Sequence, residues 1–332
     1  TPQMRANTNA ASLPQLESQL NPHLNFQEFV QGSSNNLACT AGQNIAQSPG
    51  RTAFNPCFIY GGSGVGKTHL ANAIGNRIKQ LYPHLRVLYV TANTFQMQYQ
   101  SAVLDKHTND FYAFYQSIDV LIVDDIQYFA DKKGTQNTFF FIFNHLHQMG
   151  KQLILTSDKP PLELNGLEQR LLTRFKWGLS VEITRPDFQL RRDILKSKIH
   201  RDGLDISDDI VDFIAENVRD NIRDLEGVIV SLLAHSTFIQ TSIDMDLARQ
   251  VVGKIVEVST QEINIEQIVN STCTYYQIDV RELSSRSKRR EVANARQVSM
   301  YLAKTLTNKS LADIGHAIGN RNHATVIHAI KT

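Results

Sequence analysis

Cysteine is scarce in this sequence: Cys39, Cys57 and Cys273 are the only three among 332 residues. So few thiols, so far apart, exclude a disulfide framework and a cysteine-based zinc site, and each reads as a buried or incidental thiol of a reducing cytoplasm. Long apolar runs are missing too, and nothing approaches the roughly 18 residues that suggest a membrane span. The first residues lack the basic-then-apolar pattern of a secretion signal. Net charge is almost absent, at +2, but it is unevenly spread. From Tyr275 to Thr332 ten Lys/Arg face four Asp/Glu, a surplus of six, which leaves the rest of the chain at −4. A basic module ending an acidic body implies an anionic partner for that module alone.

What is present is an ordinary globular composition, 42% apolar, in a chain long enough for two or three domains. No internal repeat is visible. Residues 1–20 are rich in Asn, Gln, Ser, Ala and Pro and read as a linker or tail. The chain does not begin with Met, which suggests a fragment without its N-terminal part. A segment with Gly32, Ser33, Ser34, Asn35 and Asn36 precedes an expected helix at Leu37–Gln47. Strands are expected at Cys57–Tyr60, Arg86–Val90, Val120–Val123, Gln152–Thr156 and Leu179–Ile183, with helices between them. Short β-branched runs alternating with helices argue for an α/β fold, a parallel sheet covered on both faces. After Pro186 the pattern turns purely helical to about Val256, and Ile263–Thr332 is helical as well.

Gly61-Gly62-Ser63-Gly64-Val65-Gly66-Lys67-Thr68 fits G-x-x-x-x-G-K-[ST] between a strand and a helix, the pattern of a phosphate-binding loop. Glycines let backbone N–H groups converge on phosphates, and the following helix adds its partial positive charge. Lys67 is expected to reach the β- and γ-phosphates of ATP, and Thr68 to hold Mg²⁺. Asp124 and Asp125 end the third strand, where one carboxylate can support the metal and its neighbour can orient water. Asp158 closes the fourth strand at the same edge, either near the γ-phosphate's water or as the cap of a turn. Arg170 and Arg174, four apart, share a helical face; Arg223 lies in the later helical region beside Asp224 and Glu226. Surface salt bridges and neutralisation of γ-phosphate charge both remain open for these arginines.

The basic excess begins with Arg286, Lys288, Arg289 and Arg290, ahead of an expected helix at Val292–Leu306. Ser310-x-x-Asp313 reads as the start of a short helix to Ile318. Gly319-Asn320 breaks it, and a last helix, Asn322–Ile330, follows with Val326, Ile327 and Ile330 expected inward. Helix, glycine turn and helix make a helix-turn-helix pattern, with Arg321, Asn322, His323, Ala324 and Thr325 placed to meet base edges. The basic cluster would contact phosphates or the minor groove. A small helical domain with a solvated charge run is the alternative.

From about Leu24 to Thr332 the chain resembles the bacterial replication-initiator family, DnaA. The resemblance is carried by Asn55-Pro56-x-Phe58-Ile59-Tyr60-Gly61-Gly62, Gly64-Val65-Gly66-Lys67-Thr68-His69 and Val123-Asp124-Asp125-Ile126-Gln127. It continues through Leu155-Thr156-Ser157-Asp158, Arg174-Phe175-x-Trp177-Gly178, Arg223-x-Leu225-Glu226-Gly227, Ile314-Gly315 and His323-x-Thr325-Val326-Ile327-His328-Ala329. It implies an AAA+ nucleotide-binding domain over residues 21–184, a helical lid over 185–262 and a helix-turn-helix DNA-binding domain over 263–332. It further implies an ATP-dependent initiator that binds origin duplex DNA, assembles into a filament in the ATP state and melts the duplex. Slow ATP hydrolysis, a weak ATPase activity, would end the active state.

By the same resemblance Arg174 is the arginine finger between subunits, with Arg170 in that interface. Arg223 becomes the lid arginine sensing γ-phosphate, and Asp158 the first sensor. Val30, Asn35 and His69 fall on the nucleotide side, and Arg296 and Gln297 join the DNA contacts. Implied partners are single-stranded DNA in the assembled state and the replicative helicase, through an N-terminal domain expected to be absent. An acidic membrane lipid is a conceivable further partner that these residues do not mark. Location would be cytoplasmic, at the nucleoid. Departures are Lys288 for the usual minor-groove arginine, Asn322 and Ala324 for Asp and Thr, and Gln100 for an apolar residue. Lys132 and Lys133 stand where single-stranded DNA contacts are expected, with Gly134 after them. A helicase loader of the same branch should lack the Arg321–Ala329 module. A nucleotide-insensitive transcription regulator would not need Lys67, Thr68, Asp124 and Asp125.

Overall fold

Five short apolar runs become the five strands of one parallel sheet in a computed structural model that describes residues 17–239, 243–255, 265–285, 287, 289–307 and 309–331. The strands are β1 (Cys57–Tyr60), β2 (Val87–Thr91), β3 (Val120–Asp124), β4 (Gln152–Ser157) and β5 (Leu179–Glu182), in the spatial order β2-β3-β4-β1-β5. Alternation explains why both faces are apolar. Phe58, Leu88, Val90, Leu121, Val123, Leu153 and Leu155 point to one core, while Cys57, Ile59, Val87, Val120, Ile122, Ile154 and Val181 point to the other. Arg86, expected to open β2, lies just outside it: its N–H is taken by the Asp119 carboxylate at 2.8 Å.

Helices cover both faces. α1 (Asn36–Gln47) and α2 (Lys67–Leu81) lie on the Ile59 side. The Phe58 side is covered by α3 (Ala92–Leu104), α4 (Thr108–Gln116), α5 (Lys133–Gln148) and α6 (Gln169–Phe175). A cluster of aromatic rings, including Phe95, Phe111, Tyr115, Phe129, Phe139 and Phe175, fills that layer. Because all strands run parallel, the ends of β1, β3 and β4 open on the same sheet edge.

Four helices follow: α7 (Phe188–Arg201), α8 (Asp208–Asn217), α9 (Ile222–Ala234) and α10 (Met245–Ile255). Buried Ile194, Leu195, Ile214, Leu225, Val228 and Val251 form their shared core. Asp187 caps α7 by accepting from Leu190 N–H at 2.8 Å. Buried Arg191 is satisfied by the carbonyls of Ala215 and Pro186 at 2.8 and 2.7 Å.

The chain divides into two compact units, Thr1–Ile255 and Val256–Thr332. The second comprises α11 (Ile265–Tyr276), α12 (Val280–Ser284), α13 (Arg290–Leu306), α14 (Leu311–Ala317) and α15 (His323–Lys331). Its core gathers Ile268, Leu283, Ala295, Met300, Ile314 and Val326. Ser310 Oγ caps α14 through Asp313 N–H at 3.2 Å, as the spacing predicts. Val326 is buried as expected, but one inward expectation is corrected: Ile327 is exposed, and Ala329 is buried instead. Positions 326, 329 and 330 lie within one helical face, whereas 327 is turned about 100° from 326. All three cysteines are free and buried.

Candidate functional site

β1 runs straight into the glycine loop, and Gly61, Gly64 and Gly66 all take positive φ. At Gly64 a Cβ would lie 2.6 Å from the Asn221 Cβ. Only glycine lets the loop meet the segment leading into α9, where Ile222 N–H donates to Gly64 O at 2.9 Å. Gly66 is the left-handed N-cap of α2 and supplies no side chain, so the first-turn amides of that helix are available to an anion. Lys67 is 6% exposed, and its ammonium is bound by Gly61 O and Gly62 O, both at 2.8 Å, and by the Asp158 carboxylate at 2.7 Å. These three acceptors match the three protons of the ammonium.

Asp124 is buried between three hydroxyl donors. Thr68 Oγ1 donates to Oδ2 at 2.8 Å, Tyr89 OH donates to the same oxygen at 2.6 Å, and Thr156 Oγ1 donates to Oδ1. Burial first, and then the charge of Asp124, pushes the Tyr89 phenol far above its usual range. Asp125 follows in left-handed backbone, φ 60, with its N–H on Thr156 Oγ1 at 2.9 Å. Its carboxyl titrates above the ordinary value, chiefly from burial and then from the neighbouring Asp124. Gln127 joins the two water-side carboxylates, donating to Asp125 Oδ1 at 3.0 Å and Asp158 Oδ2 at 3.2 Å. The turn after Asp158 is held by Ser157 Oγ, which accepts from Lys159 N–H at 3.2 Å.

A cavity of about 500 Å³ opens above these groups. Ser63, Gly64, Gly66, Lys67 and Thr68 line one wall and Asp125 and Asp158 another. Val65 is buried beneath the loop, and Asp124 sits behind Thr68. Phe29, Val30, Asn35 and His69 line a further slot of the cavity, apolar and polar side chains together. Asn35 is 3% exposed and braces that slot: its carbonyl accepts from Gly32 N–H at 2.9 Å and its amide donates to Val30 O at 3.0 Å. His69 sits edge-on to Phe29 with ring centroids 5.2 Å apart, and burial foremost lowers its pKa. From α7 and α9, Ile194, Lys198, Ile222, Arg223 and Glu226 also line the cavity. Arg223 donates to Ser63 Oγ at 3.1 Å, while Glu226 pairs with Lys198 at 2.6 Å and Asp224 accepts from Asn221 at 2.8 Å.

Arg170 and Arg174 do not line this cavity. They share one face of α6, over Phe140, with guanidinium carbons 4.4 and 5.7 Å from its centroid. Arg170 has the salt bridge expected of a surface arginine, to Glu168 at 2.5 Å. Arg174 instead donates Nε to Asn144 Oδ1 at 2.8 Å and stacks 3.7 Å above the Trp177 ring.

In the C-terminal unit Asn322, His323, Ala324 and Thr325 are exposed around the start of α15. Asn322 caps the helix, accepting from Thr325 N–H at 3.0 Å. Arg296 and Arg321 turn partly inward, both donating to Ser285 O, at 3.0 and 2.8 Å. Arg289 pairs with Glu282 at 2.8 Å, Arg290 is exposed, and Gln297 is half-buried. Arg286 and Lys288 lie outside the described residues.

Two family models match: the bacterial DnaA ATPase domain over residues 20–182 and the bacterial DnaA helix-turn-helix over residues 265–332. The chain belongs to the bacterial DnaA family. The chromosomal replication initiator protein DnaA of Bacteroides fragilis is 54% identical over 323 residues, covering 97% of this chain and 68% of that one. Its counterpart in Bacteroides thetaiotaomicron is 52% identical, covering 97% and 69%. Among solved structures, domain III of the Thermotoga maritima DnaA superposes with a TM-score of 0.69 at 36% identity, covering 71% of this chain and 98% of that one. A replication initiator DnaA bound to AMPPCP and single-stranded DNA gives a TM-score of 0.66 at 34% identity, covering 94% and 92%.

Within this DnaA-family chain several groups at the site carry no signal in the sequence alone. Tyr89 reads as an ordinary strand residue, yet its hydroxyl reaches across from β2 to Asp124 on β3. Its polar tip inside an apolar run was the available hint. Gln127 and Thr156 stand in the family stretches, but their bridging roles depend on contacts made 31 positions away in the chain. Phe140 becomes a partner of the two arginines only through folding, whereas Trp177 follows Arg174 by three residues.

Proposed function

We propose that this chain is an ATP-controlled initiator of chromosomal DNA replication. It binds ATP in the cavity, duplex origin DNA through α15, and neighbouring copies of itself through the face that carries Arg174. One observation carries the reading. Lid residue Arg223 already meets the phosphate loop at Ser63, whereas Arg174 is held outside the same cavity, half-exposed. Arg223 is thus placed to sense γ-phosphate within the chain, and Arg174 to complete the site of another copy.

Lys67 and the first-turn amides of α2 would take the β- and γ-phosphates, with Lys67 exchanging its present acceptors for phosphate oxygens. Thr68 and Asp124 offer two hard oxygen ligands 2.8 Å apart, a donor set that fits Mg²⁺ beside the phosphates. Bound Mg²⁺ would neutralise phosphate charge. Asp125, Gln127 and Asp158 would orient the attacking water, and hydrolysis is the slow step that ends the assembled state. Melting of the duplex, capture of single-stranded DNA and helicase recruitment belong to the assembled form at the nucleoid.

DNA protection with ATP, ADP and a non-hydrolysable analogue tests the reading. ATP and the analogue should extend protection beyond the first bound site, and ADP should not. Equal footprints in all three states would remove the nucleotide switch. His323→Ala should lower discrimination between specific and random duplex by about 1–3 kcal/mol. An equal loss on both duplexes would make His323 a backbone contact.

A further inference from the structure

The chain contains a single tryptophan, and it lies under the guanidinium of Arg174. Trp177 is 49% exposed, large for an indole that takes no part in the core. Arg174 spends Nε on Asn144, and among the described residues neither of its terminal nitrogens has a hydrogen-bond partner. The side chain is thus clamped at its stem by an amide and along its plane by an aromatic ring, while its two outer nitrogens remain free. A planar guanidinium held in this way keeps its paired donors for an anion and loses less freedom on binding than a loose one.

Trp177 is itself anchored. Its ring lies 5.2 Å from His147, which stacks on Phe143 with centroids 6.0 Å apart and contacts Asn55 O through Nε2 at 3.2 Å. The next residue, Gly178, runs so close to β1 that a Cβ there would lie 2.1 Å from Pro56 O. Leu179 N–H then donates to that same carbonyl at 3.0 Å. The backbone that follows the indole, and the His147 it packs on, are thus both fixed to the lead-in of the strand whose other end becomes the phosphate loop.

We propose that Trp177 is a positioning residue, holding Arg174 extended with its outer nitrogens ready for the γ-phosphate of ATP on a neighbouring copy. This rests on the reading of Arg174 given above. Trp177 does not line the nucleotide cavity, so its removal should leave ATP binding within the chain unchanged. Its emission also reports the interface directly, because no other tryptophan contributes.

The test uses the full chain on origin duplex with ATP or ADP, comparing Trp177→Leu, Trp177→Phe and Arg174→Ala by sedimentation and by nucleotide titration. Trp177→Leu should bind ATP as the parent does but need about 2- to 30-fold more protein for half-assembly, the range of a cation–π contact. Trp177→Phe, which keeps an aromatic face, should recover most of that loss. In the parent, Trp177 emission should change on assembly with ATP and stay unchanged with ADP. Normal assembly of Trp177→Leu beside failure of Arg174→Ala would overturn the positioning role and leave the arginine's role intact. Normal assembly of Arg174→Ala would overturn both. Lost ATP affinity in Trp177→Leu, or no recovery in Trp177→Phe, would also reject the proposal.

Discussion

Asp124 illustrates how much one side chain is asked to do. It is buried, yet it holds a carboxylate whose charge the sheet edge must compensate, and it does so with hydroxyls from three elements. Those donors fix its rotamer before any cation arrives. Thr68 and Asp124 have the chemistry of metal ligands, whereas Tyr89 supplies support from behind. Replacing Tyr89 by Phe removes one charge-assisted hydrogen bond and leaves two. Chemical denaturation should show a loss of about 1–3 kcal/mol. Single-turnover hydrolysis should fall far less than in Asp124→Asn, which removes the carboxylate charge proposed to hold Mg²⁺. A fall as deep as that of Asp124→Asn would place Tyr89 in the chemistry itself.

At the scale of elements, α7 opens the helical segment after the sheet, and its cap residue ties it to Ser33, near Asn35 of the cavity lining. Asp187 accepts from Leu190 N–H at 2.8 Å and from Ser33 Oγ at 2.5 Å, and these bonds, Ser33 first, hold its carboxyl below the ordinary carboxylate range. A depressed pKa means stability that is present above the ordinary carboxylate range and is lost as pH falls below that range through the lowered pKa. Asp187 is exposed, so screening keeps the ionic part small and the capping bond dominates. Asp187→Ala should therefore cost about 1 kcal/mol near neutral pH. Asp187→Asn should keep most of the cap while flattening the acid limb of a thermal-melt pH series. An unflattened limb would assign it to other carboxylates. Elements such as these were legible because periodicity is local. The five strands, the phosphate loop and the helix-turn-helix spacing all appear within short windows. The orientation of Ile327 was missed because an apolar residue one position off the buried face looks the same as one on it. The support for Asp124, the reach of Gln127 to Asp158 and the hold of Asn144 on Arg174 were not legible, because those partners meet only through the tertiary fold. Arg223 and Ser63 are 160 positions apart.

At the scale of the molecule, the chain places its two candidate arginines differently, and from those places they cannot do the same work. Arg223 contacts the loop of its own chain, and Arg174 lies off the cavity wall. If Arg174 completes a neighbour's site, each subunit offers ATP on one face and an arginine on another, and assembly is head-to-tail and open-ended. Mixing two defective proteins isolates that polarity. Arg174→Ala keeps its ATP site but offers no finger, while Lys67→Ala offers a finger but holds ATP poorly. Neither should assemble alone. Together they can form one interface, with the finger of the Lys67→Ala chain in the ATP site of the Arg174→Ala chain. Growth then stops, because the remaining faces are the two defective ones. Sedimentation with ATP should show species limited to a pair, against long assemblies for the parent. Long assemblies in the mixture would mean that the arginine is dispensable. No pair at all would mean that it serves its own chain, and the composite site would have to be abandoned.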